Sequence, residues 1–340
     1  MKRLIQSDLT KTLLFLILTT VCAAAITPLL YDAGKMIAEV AEARSTNPIV
    51  NWFAQKCGRA DLTQYFHRAL ILCALILFGP FIMWMSLGKE NRQPRRNPWR
   101  IRLPNRSIAQ DEGQPLIRKP KARLHLITGF LLAGSLMLLM VWLLIQVGWF
   151  SLVKPIDWIS VTRSSILSAA FTGVIEEWIF RGVILGILLR CMRPTMAIVT
   201  TSLFFASIHF LIPLDGVTVL KPGDLDAGFR LISLIIQRFL HPQEFFLSFI
   251  YLFAMGLILA YARYRTASLW LPIGLHIGGL FIHKLFLQTA EFSSENLASV
   301  DVFIGHDRQS GILPLTVLIA IGLLVHVFAQ NSAKKTALAD

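Results

Sequence analysis

Long apolar runs separated by polar and charged connections are the dominant pattern of this chain. A helix needs roughly 20 mostly apolar residues to cross about 30 Å of hydrocarbon, and about eight runs come close to that length. The pattern therefore predicts an all-α, polytopic integral membrane helical bundle of about eight transmembrane helices. The predicted spans are residues 12–30, 67–87, 124–150, 164–189, 195–213, 245–263, 269–287 and 311–328.

The composition agrees with a surface that faces lipid. Of the 340 residues, 55% are hydrophobic and only 16% are charged, whereas an average soluble domain is about 25% charged. A water-soluble globular protein and an intrinsically disordered chain are therefore both excluded. Because the cysteines lack any C-x-x-C spacing, we predict neither a disulfide framework nor a thiolate metal site. They are Cys22, Cys57, Cys73 and Cys191.

Most of the basic surplus lies in one connection. The formal net charge is +13, and residues 89–123 hold eleven Lys and Arg against three acidic residues, a surplus of +8. A basic connection between two spans is typical of a cytoplasmic loop near anionic lipid, and no nucleic-acid-binding motif surrounds this one. We therefore predict anionic lipid, and not nucleic acid, as the partner of loop 89–123. The same rule predicts cytoplasmic N- and C-termini in a multi-pass protein of a bacterial inner or plasma membrane.

The spans and connections divide the chain into three predicted regions. Residues 1–123 hold two N-terminal spans and the basic loop, residues 124–288 form a membrane core, and residues 289–340 hold an external loop, the last span and a cytoplasmic tail. The first run follows a short basic segment and resembles a signal peptide. Its apolar stretch is longer than that of a usual signal peptide, which favours a retained first span.

Charged residues stand out in the fourth predicted span. An unpaired charge at the membrane centre costs roughly 2.5–3.5 kcal/mol on insertion scales, so a charged residue there is a candidate for function. Glu177 and Arg181 are four residues apart and can pair along one helix face, whereas Glu176 points about 100° away from that face. The pattern predicts a structural Glu177–Arg181 pair and a separate role for Glu176 as a general base acting on water. A single buried ion network that fixes helix packing is the alternative.

Two histidines on other predicted spans extend this candidate site. His209 ends the segment Phe205-x-x-x-His209, and His276 lies in the seventh predicted span. A lone histidine in an apolar helix is most often a packing residue, but two of them on different spans, beside paired carboxylates, favour a shared site. Glu176, His209 and His276 would then converge on one water, either directly or through a metal. The sequence holds no H-E-x-x-H, G-x-S-x-G, P-loop or G-x-G-x-x-G motif.

These segments together resemble the motifs of the CAAX-processing and bacteriocin-processing (CPBP) intramembrane proteases, also called the Abi family, and are similar to those of type II CAAX prenyl endopeptidases. They occur in the family's order, on successive predicted spans, within residues 164–287. The matching segments are Glu176-Glu177-x-x-x-Arg181, Phe205-x-x-x-His209 and the Trp-x-x-x-x-x-His motif from Trp270 to His276.

The resemblance implies an intramembrane endopeptidase that hydrolyses a peptide bond of a membrane-associated peptide or protein. It implies that Glu176 activates water, that His209 helps to hold this water and that His276 donates a hydrogen bond to the oxyanion. The substrate stays open between a prenylated CAAX tail, a leader peptide and a membrane-protein stub. The resemblance assigns supporting, structural roles to Glu177, Arg181 and Phe205.

The resemblance leaves two cofactor states open, namely no cofactor or zinc. A catalytic zinc usually has three protein ligands and a water. Glu176, His209 and His276 are the residues that would supply those ligands.

The third motif departs from the family's pattern at one position. The family usually has Asn or Asp four residues after the motif histidine, on the same helix face, and this chain has Leu280 there. Half of the expected oxyanion site is therefore missing. This departure keeps a catalytically silent membrane scaffold or immunity protein as an alternative function. A proton-coupled transporter would use the same carboxylates as a relay, but no inverted repeat favours it.

Overall fold

The computed structural model describes residues 8–44, 47–84, 122–211, 219–241, 245–293, 297–305 and 307–337. Loop 89–123, with its predicted lipid contact, therefore lies almost wholly outside the described residues. The described chain is helical except for turns and one short two-stranded ribbon.

The helices and strands are numbered here in chain order. The first group is α1 (Asp8–Arg44), α2 (Pro48–Arg59), α3 (Leu62–Trp84), α4 (Ala122–Gln146), β1 (Phe150–Leu152), α5 (Trp158–Glu177), a π-helical turn (Trp178–Ile184), α6 (Leu185–Cys191) and α7 (Pro194–Ile208). The second group is α8 (Ala227–Phe239), α9 (Phe246–Thr266), α10 (Trp270–Thr289), β2 (Ala290–Phe292), α11 (Leu297–Ile304) and α12 (Ile312–Ala337).

Long apolar helices confirm an all-α polytopic membrane bundle. Within the described residues, six segments are long and apolar enough to cross a membrane. The count of eight spans and the cytoplasmic position of both termini stay predictions. The six segments are Leu13–Ala43, Leu62–Phe81, Ala122–Gln146, Phe246–Thr266, Trp270–Thr289 and Ile312–Gln330.

The two remaining predicted spans, residues 164–189 and 195–213, have a different form. In the first, the π-helical turn separates α5 from α6, although the backbone stays helical throughout. In the second, α7 has 15 residues, which rise about 22 Å and fall short of a hydrocarbon core of about 30 Å. The apolar run at this position is therefore longer than the helix that it forms.

The chain forms two compact units. The first comprises Met1–Pro94 and His209–Glu244, and it contains α1, α2, α3 and α8. Its core includes Ala24, Phe66 and Leu231, and a side chain at Gly228 would collide with the backbone of Ala24, so that this glycine allows α8 to lie directly on α1. The division into regions 1–123, 124–288 and 289–340 stays a prediction.

The second unit comprises Arg95–Ile208 and Phe245–Asp340, and α10 is its central helix. This helix packs against α4 on one side and α5 on another. Side chains at Gly274 and Gly278 would collide with backbone carbonyls of α4, so the two glycines allow the helices to approach closely. The Gly274-x-x-x-Gly278 spacing is therefore a packing device.

A short antiparallel ribbon lies beyond the ends of α4 and α10. Phe150 pairs with Phe292, and Leu152 pairs with Ala290. Arg308 donates a hydrogen bond to the Ala290 carbonyl at 2.7 Å. The ribbon thereby ties the segments that enter α5 and leave α10, which are the two helices that carry the candidate site.

Candidate active site

Local sequence signals determine where the helices that carry the candidate residues begin and end. Asp157 accepts a hydrogen bond from the Ser160 N–H at 3.2 Å and caps the first turn of α5. Ala267, in a left-handed conformation at φ 51°, ends α9. The Ser268 hydroxyl then accepts from the Trp270 N–H at 3.3 Å, where α10 begins.

A glycine brings α5 and α10 together next to the carboxylates. A side chain at Gly173 would place its Cβ 2.8 Å from Ile277 Cγ1. Its absence allows α5 to lie close to α10 one turn before Glu177. His276 precedes Ile277 on α10 and comes within hydrogen-bond distance of Glu177.

Glu177, Arg181 and His276 form a cluster, and Oε1 of Glu177 lies at its centre. It accepts a hydrogen bond from Arg181 Nη1 at 2.6 Å and lies 2.8 Å from His276 Nδ1. An ionised carboxylate can only accept, so Nδ1 of His276 carries the proton and its Nε2 faces the other way. Glu177 and Arg181 are fully buried. The predicted Glu177–Arg181 pair is present, and it also holds the ring of a histidine on another helix.

The π-helical turn directs Arg181 into the protein. The Leu185 N–H bonds to the Phe180 carbonyl, which is the wider spacing of a π-helix. Arg181 Nη2 also donates to the Gly256 carbonyl on α9 at 3.3 Å. A Cβ on Gly256 would lie 2.9 Å from Ser202 Cβ, so this glycine allows α9 to approach α7. Arg181 thus links α5 with α9 through charge-assisted hydrogen bonds.

Phe205 on α7 packs against both partners of Glu177, Arg181 and His276. Its ring lies 4.3 Å from Arg181 Cζ, an arrangement typical of a cation–π contact. The same ring has its centroid 6.1 Å from that of His276, at an angle of 77°. Phe205 is fully buried. The guanidinium of Arg181 therefore lies over the Phe205 ring, and the imidazole of His276 makes a T-shaped contact with the same ring.

Glu176 occupies a different environment from Glu177. Its side chain is 25% exposed, and its Oε2 lies 3.8 Å from His276 Nε2. The two adjacent carboxylates thus lie on opposite nitrogens of one imidazole ring, since Nδ1 contacts Glu177. At 3.8 Å, Oε2 of Glu176 and Nε2 of His276 are beyond the distance of a direct hydrogen bond.

His209 lies in the turn directly after α7 and is half-buried. It belongs to the first compact unit, whereas Glu176 and His276 belong to the second. The structure therefore brings together Glu176, Glu177, Arg181, Phe205 and His276, and the place of His209 in the site stays a prediction.

The donor set of a zinc site is not assembled in the described residues. No group of three His, Cys, Asp or Glu side chains among them has the geometry to hold a metal ion. The Nδ1 of His276 already faces Glu177, and only its Nε2 faces Glu176. Glu176, His209 and His276 are therefore not arranged as a set of three zinc ligands in the described part of the chain.

A cavity of about 60 Å³ lies beside His276 in the second unit. Leu280 lies on its wall, one helical turn after His276, where the family's pattern has a polar side chain. The departure at this position therefore makes the cavity more apolar next to the imidazole. The wall also includes Met137, Tyr251, Met255, Leu275 and His283.

A lysine in the span of α10 was missed by the sequence analysis. Lys284 Nζ donates a hydrogen bond to Ser168 Oγ on α5 at 2.6 Å. Lys284 follows His276 by eight residues, which is about two helical turns, and Ser168 precedes Glu176 by the same number. Shared helical spacing with the motif residues, together with a charge inside an apolar run, was the signal that could have identified it.

Together, the fold and the cluster define an integral membrane protein with a buried carboxylate–arginine–histidine site. Residues 158–279 match the family described as type II CAAX prenyl endopeptidase Rce1-like, which confirms the resemblance inferred from the motifs. This is a protease family, and the matched segment runs from the start of α5 into α10, so it contains the whole cluster. No curated protein and no solved structure matches the chain.

Proposed function

We propose that this protein is an intramembrane endopeptidase in which Glu176 activates the water that hydrolyses a peptide bond. The observation that carries the proposal is the placement of His276 between two carboxylates of unequal environment. Glu177 is fully buried and bonded to Arg181, so it is occupied by structural contacts. The side chain of Glu176 is partly exposed, and its Oε2 lies 3.8 Å from His276 Nε2.

The proposed reaction is a hydrolysis in which Glu176 transfers protons. Its carboxylate takes a proton from water as the water oxygen attacks the carbonyl carbon. The tetrahedral intermediate then collapses, the C–N bond breaks, and the proton on Glu176 goes to the leaving nitrogen. One water is consumed, and a carboxylic acid and an amine are formed. His209 keeps the role implied by the family resemblance, which is to help hold the water.

His276 is the proposed oxyanion donor. Since its Nδ1–H is directed at Glu177, donation to the oxyanion requires a second proton on Nε2. The ring would then act as an imidazolium flanked by the carboxylates of Glu176 and Glu177. A preorganised donor of this kind, in a site that excludes bulk water, is typically worth about 3–4 kcal/mol of transition-state stabilisation.

We further propose that the cavity beside His276 receives an apolar part of the substrate. Its volume of about 60 Å³ is below the usual range of ligand pockets, about 300–1,000 Å³, so side chains of its wall would have to move to admit a hydrocarbon chain. The family's description includes a prenyl group, and a branched hydrocarbon of that kind suits a wall containing Met137, Leu275 and Leu280. A lipidated peptide is therefore the first substrate to test.

Replacement of the proposed base provides the direct test. We expect the full-length Glu176→Gln variant in lipid nanodiscs to lose at least about 100-fold in kcat on an S-prenylated peptide, because an amide cannot accept the proton from water. The readout is release of the C-terminal peptide fragment, measured by mass spectrometry. Glu39→Gln is the matched control, since Glu39 is an exposed helical glutamate in the first unit.

Two outcomes would contradict the proposal. Equal cleavage rates for wild type and Glu176→Gln would remove Glu176 from the reaction. A wild-type protein that cleaves no lipidated, leader or membrane-embedded peptide would favour the silent scaffold, for which the apolar Leu280 beside His276 is the supporting observation. In that case, Glu176→Gln should complement a deletion strain as well as wild type does.

A further inference from the structure

An open groove of about 860 Å³ lies between α7 and α12 in the second unit, and none of the clustered site residues lines it. Helix α9 packs against both of these helices and forms the floor of the groove. A Cβ at Gly322 of α12 would lie 3.2 Å from Ile258 of α9, so this glycine allows the two helices to approach closely. The volume of the groove is within the usual range of ligand pockets, about 300–1,000 Å³.

Most of the groove is apolar and open to its surroundings. Leu323 on one wall is 64% exposed, and Val199 on the other is 38% exposed. Exposed apolar side chains on membrane helices face hydrocarbon, so the walls of this groove suit an acyl chain. The apolar lining consists of Ile198, Val199, Leu257, Ile258, Gly322 and Leu323.

Polar and charged side chains lie together at one end of the groove. They are Tyr261 and Arg265 on α9 and His326 on α12. This is the end at which α7 begins and α9 ends. The positive-inside rule predicts the cytoplasm for this end, as it does for Arg193 in the connection before α7.

A chain of hydrogen bonds determines which proton Tyr261 can donate. The amide nitrogen of Gln330 lies 2.8 Å from Nε2 of His326, and an amide NH₂ group can only donate. Nε2 is therefore the acceptor, so Nδ1 carries the proton of the neutral imidazole. Nδ1 lies 2.6 Å from the Tyr261 oxygen and donates to it. The phenolic proton of Tyr261 is thus left to donate to another group.

Arg265 supplies a positive charge beside this phenol. Its Cζ lies 5.9 Å from the centre of the Tyr261 ring. The side chain is half-buried, and no carboxylate in the described part of the chain forms an ion pair with it. The lining of the groove contains no Asp or Glu. A guanidinium without a counter-charge, next to a phenol that can donate, suits the oxygens of a phosphate group.

We propose that this groove binds an anionic phospholipid of the cytoplasmic leaflet. The lipid phosphate accepts hydrogen bonds from Arg265 and Tyr261, and an acyl chain lies along α9 between α7 and α12. Basic pockets between membrane helices on the cytoplasmic side are typical sites for anionic lipid head groups. This site is separate from the lipid contact predicted for loop 89–123, and it does not depend on peptidase activity.

Native mass spectrometry of the full-length protein in detergent resolves single lipid-binding steps and tests this proposal. The probe is a long-chain phosphatidylglycerol. We expect Arg265→Gln to weaken the tightest binding step by about tenfold, because hydrogen bonds to a charged group are lost. Tyr261→Phe removes one donor and should weaken the same step less. Arg123→Gln is the matched control, since Arg123 is an exposed arginine at the start of α4 and lies outside the groove.

Two further measurements distinguish a lipid from a free phosphate. Leu323→Trp fills the apolar part of the groove and should weaken phosphatidylglycerol binding although the charged end is unchanged. Glycerol 3-phosphate, which has the phosphate but no acyl chain, should not displace the lipid.

Three outcomes would overturn the proposal. They are displacement of the lipid by glycerol 3-phosphate, an equal tightest step in wild type and Arg265→Gln, and equal weakening in Arg265→Gln and Arg123→Gln. Because Tyr261→Phe and Leu323→Trp change opposite ends of the groove, a variant that fails to fold leaves the test to the other.

Discussion

At the residue scale, two adjacent glutamates have different surroundings and should respond differently to the same substitution. Glu177 is fully buried between Arg181 and His276. Loss of its charge would leave the Arg181 guanidinium buried without a counter-charge, which typically costs about 3–5 kcal/mol. We therefore expect Glu177→Gln to lower the free energy of unfolding in detergent by about that amount.

Chemical unfolding of the purified protein, monitored by tryptophan fluorescence, measures this difference. Glu176→Gln should change stability far less, because Glu176 is partly exposed and lies 3.8 Å from its histidine. Glu39→Gln again serves as a control for the loss of one helical carboxylate. Equal stability of Glu177→Gln and wild type would show that the buried ion pair contributes nothing to the fold.

The sequence predicted part of this arrangement because helical spacing is a local property. Residues four apart on one helix meet, so the Glu177–Arg181 pair followed from the sequence alone. The contact between Glu177 and His276 joins residues that are 99 positions apart. It depends on the approach of α5 to α10 at Gly173, which spacing within one helix cannot indicate. For the same reason the partner of Lys284 on α5 was not predicted.

At the element scale, close helix contacts depend on individual glycines. A Cβ at Gly278 would collide with the Phe130 carbonyl on α4, whereas a Cβ at the neighbouring Gly279 would meet nothing within 4 Å. We expect Gly278→Ala to destabilise the protein by separating α4 from α10. Gly279→Ala should be neutral or stabilising, since alanine is favoured over glycine in a helix by about 1 kcal/mol.

Thermal unfolding of the two variants in the same detergent gives the comparison. Each replaces one glycine by one alanine at adjacent positions of α10, so effects of helix propensity are matched. A lower unfolding temperature for Gly279→Ala than for Gly278→Ala would contradict the packing described here. Glycines four residues apart, as at Gly274 and Gly278, are typical of a close helix contact, but only the structure identifies α4 as the partner helix.

Apolar runs predicted the helices better than their internal form. The apolar run of residues 164–189 predicted one continuous α-helical span, whereas the structure has a π-helical turn at Trp178–Ile184 within it. That turn arises where Arg181 must bond both Glu177 and the α9 carbonyl of Gly256. The hydropathy of the segment does not indicate the contacts of Arg181 with α5 and α9. The π-helical turn could therefore not be predicted from the apolar run.

At the scale of the whole molecule, the orientation in the membrane follows from the basic loop 89–123. The positive-inside rule places this loop in the cytoplasm. Three spans, or five if α5–α6 and α7 also cross, lie between the loop and Ser293, and both numbers are odd. Ser293 is therefore expected on the external side in either case, close to the ribbon strand Ala290–Phe292.

The connection at Arg193 distinguishes the two span counts. If α5–α6 and α7 both cross the membrane, Arg193 lies on the cytoplasmic side with the basic loop, but if neither crosses, it lies outside. The predicted eight spans and the basic residues at this connection favour the cytoplasm. Asn97→Cys, Arg193→Cys and Ser293→Cys, each in a background without the four native cysteines, can be treated with a membrane-impermeant maleimide.

We expect only Ser293→Cys to react in intact cells, and Asn97→Cys and Arg193→Cys to react after permeabilisation. Labelling of Arg193→Cys in intact cells would reduce the count to six spans and leave α5, which carries both glutamates, outside the set of crossing helices. Glu176 would then have to work in a segment that enters the bilayer from the external side only. The accessibility of position 193 therefore decides from which side of the membrane water and substrate can reach Glu176.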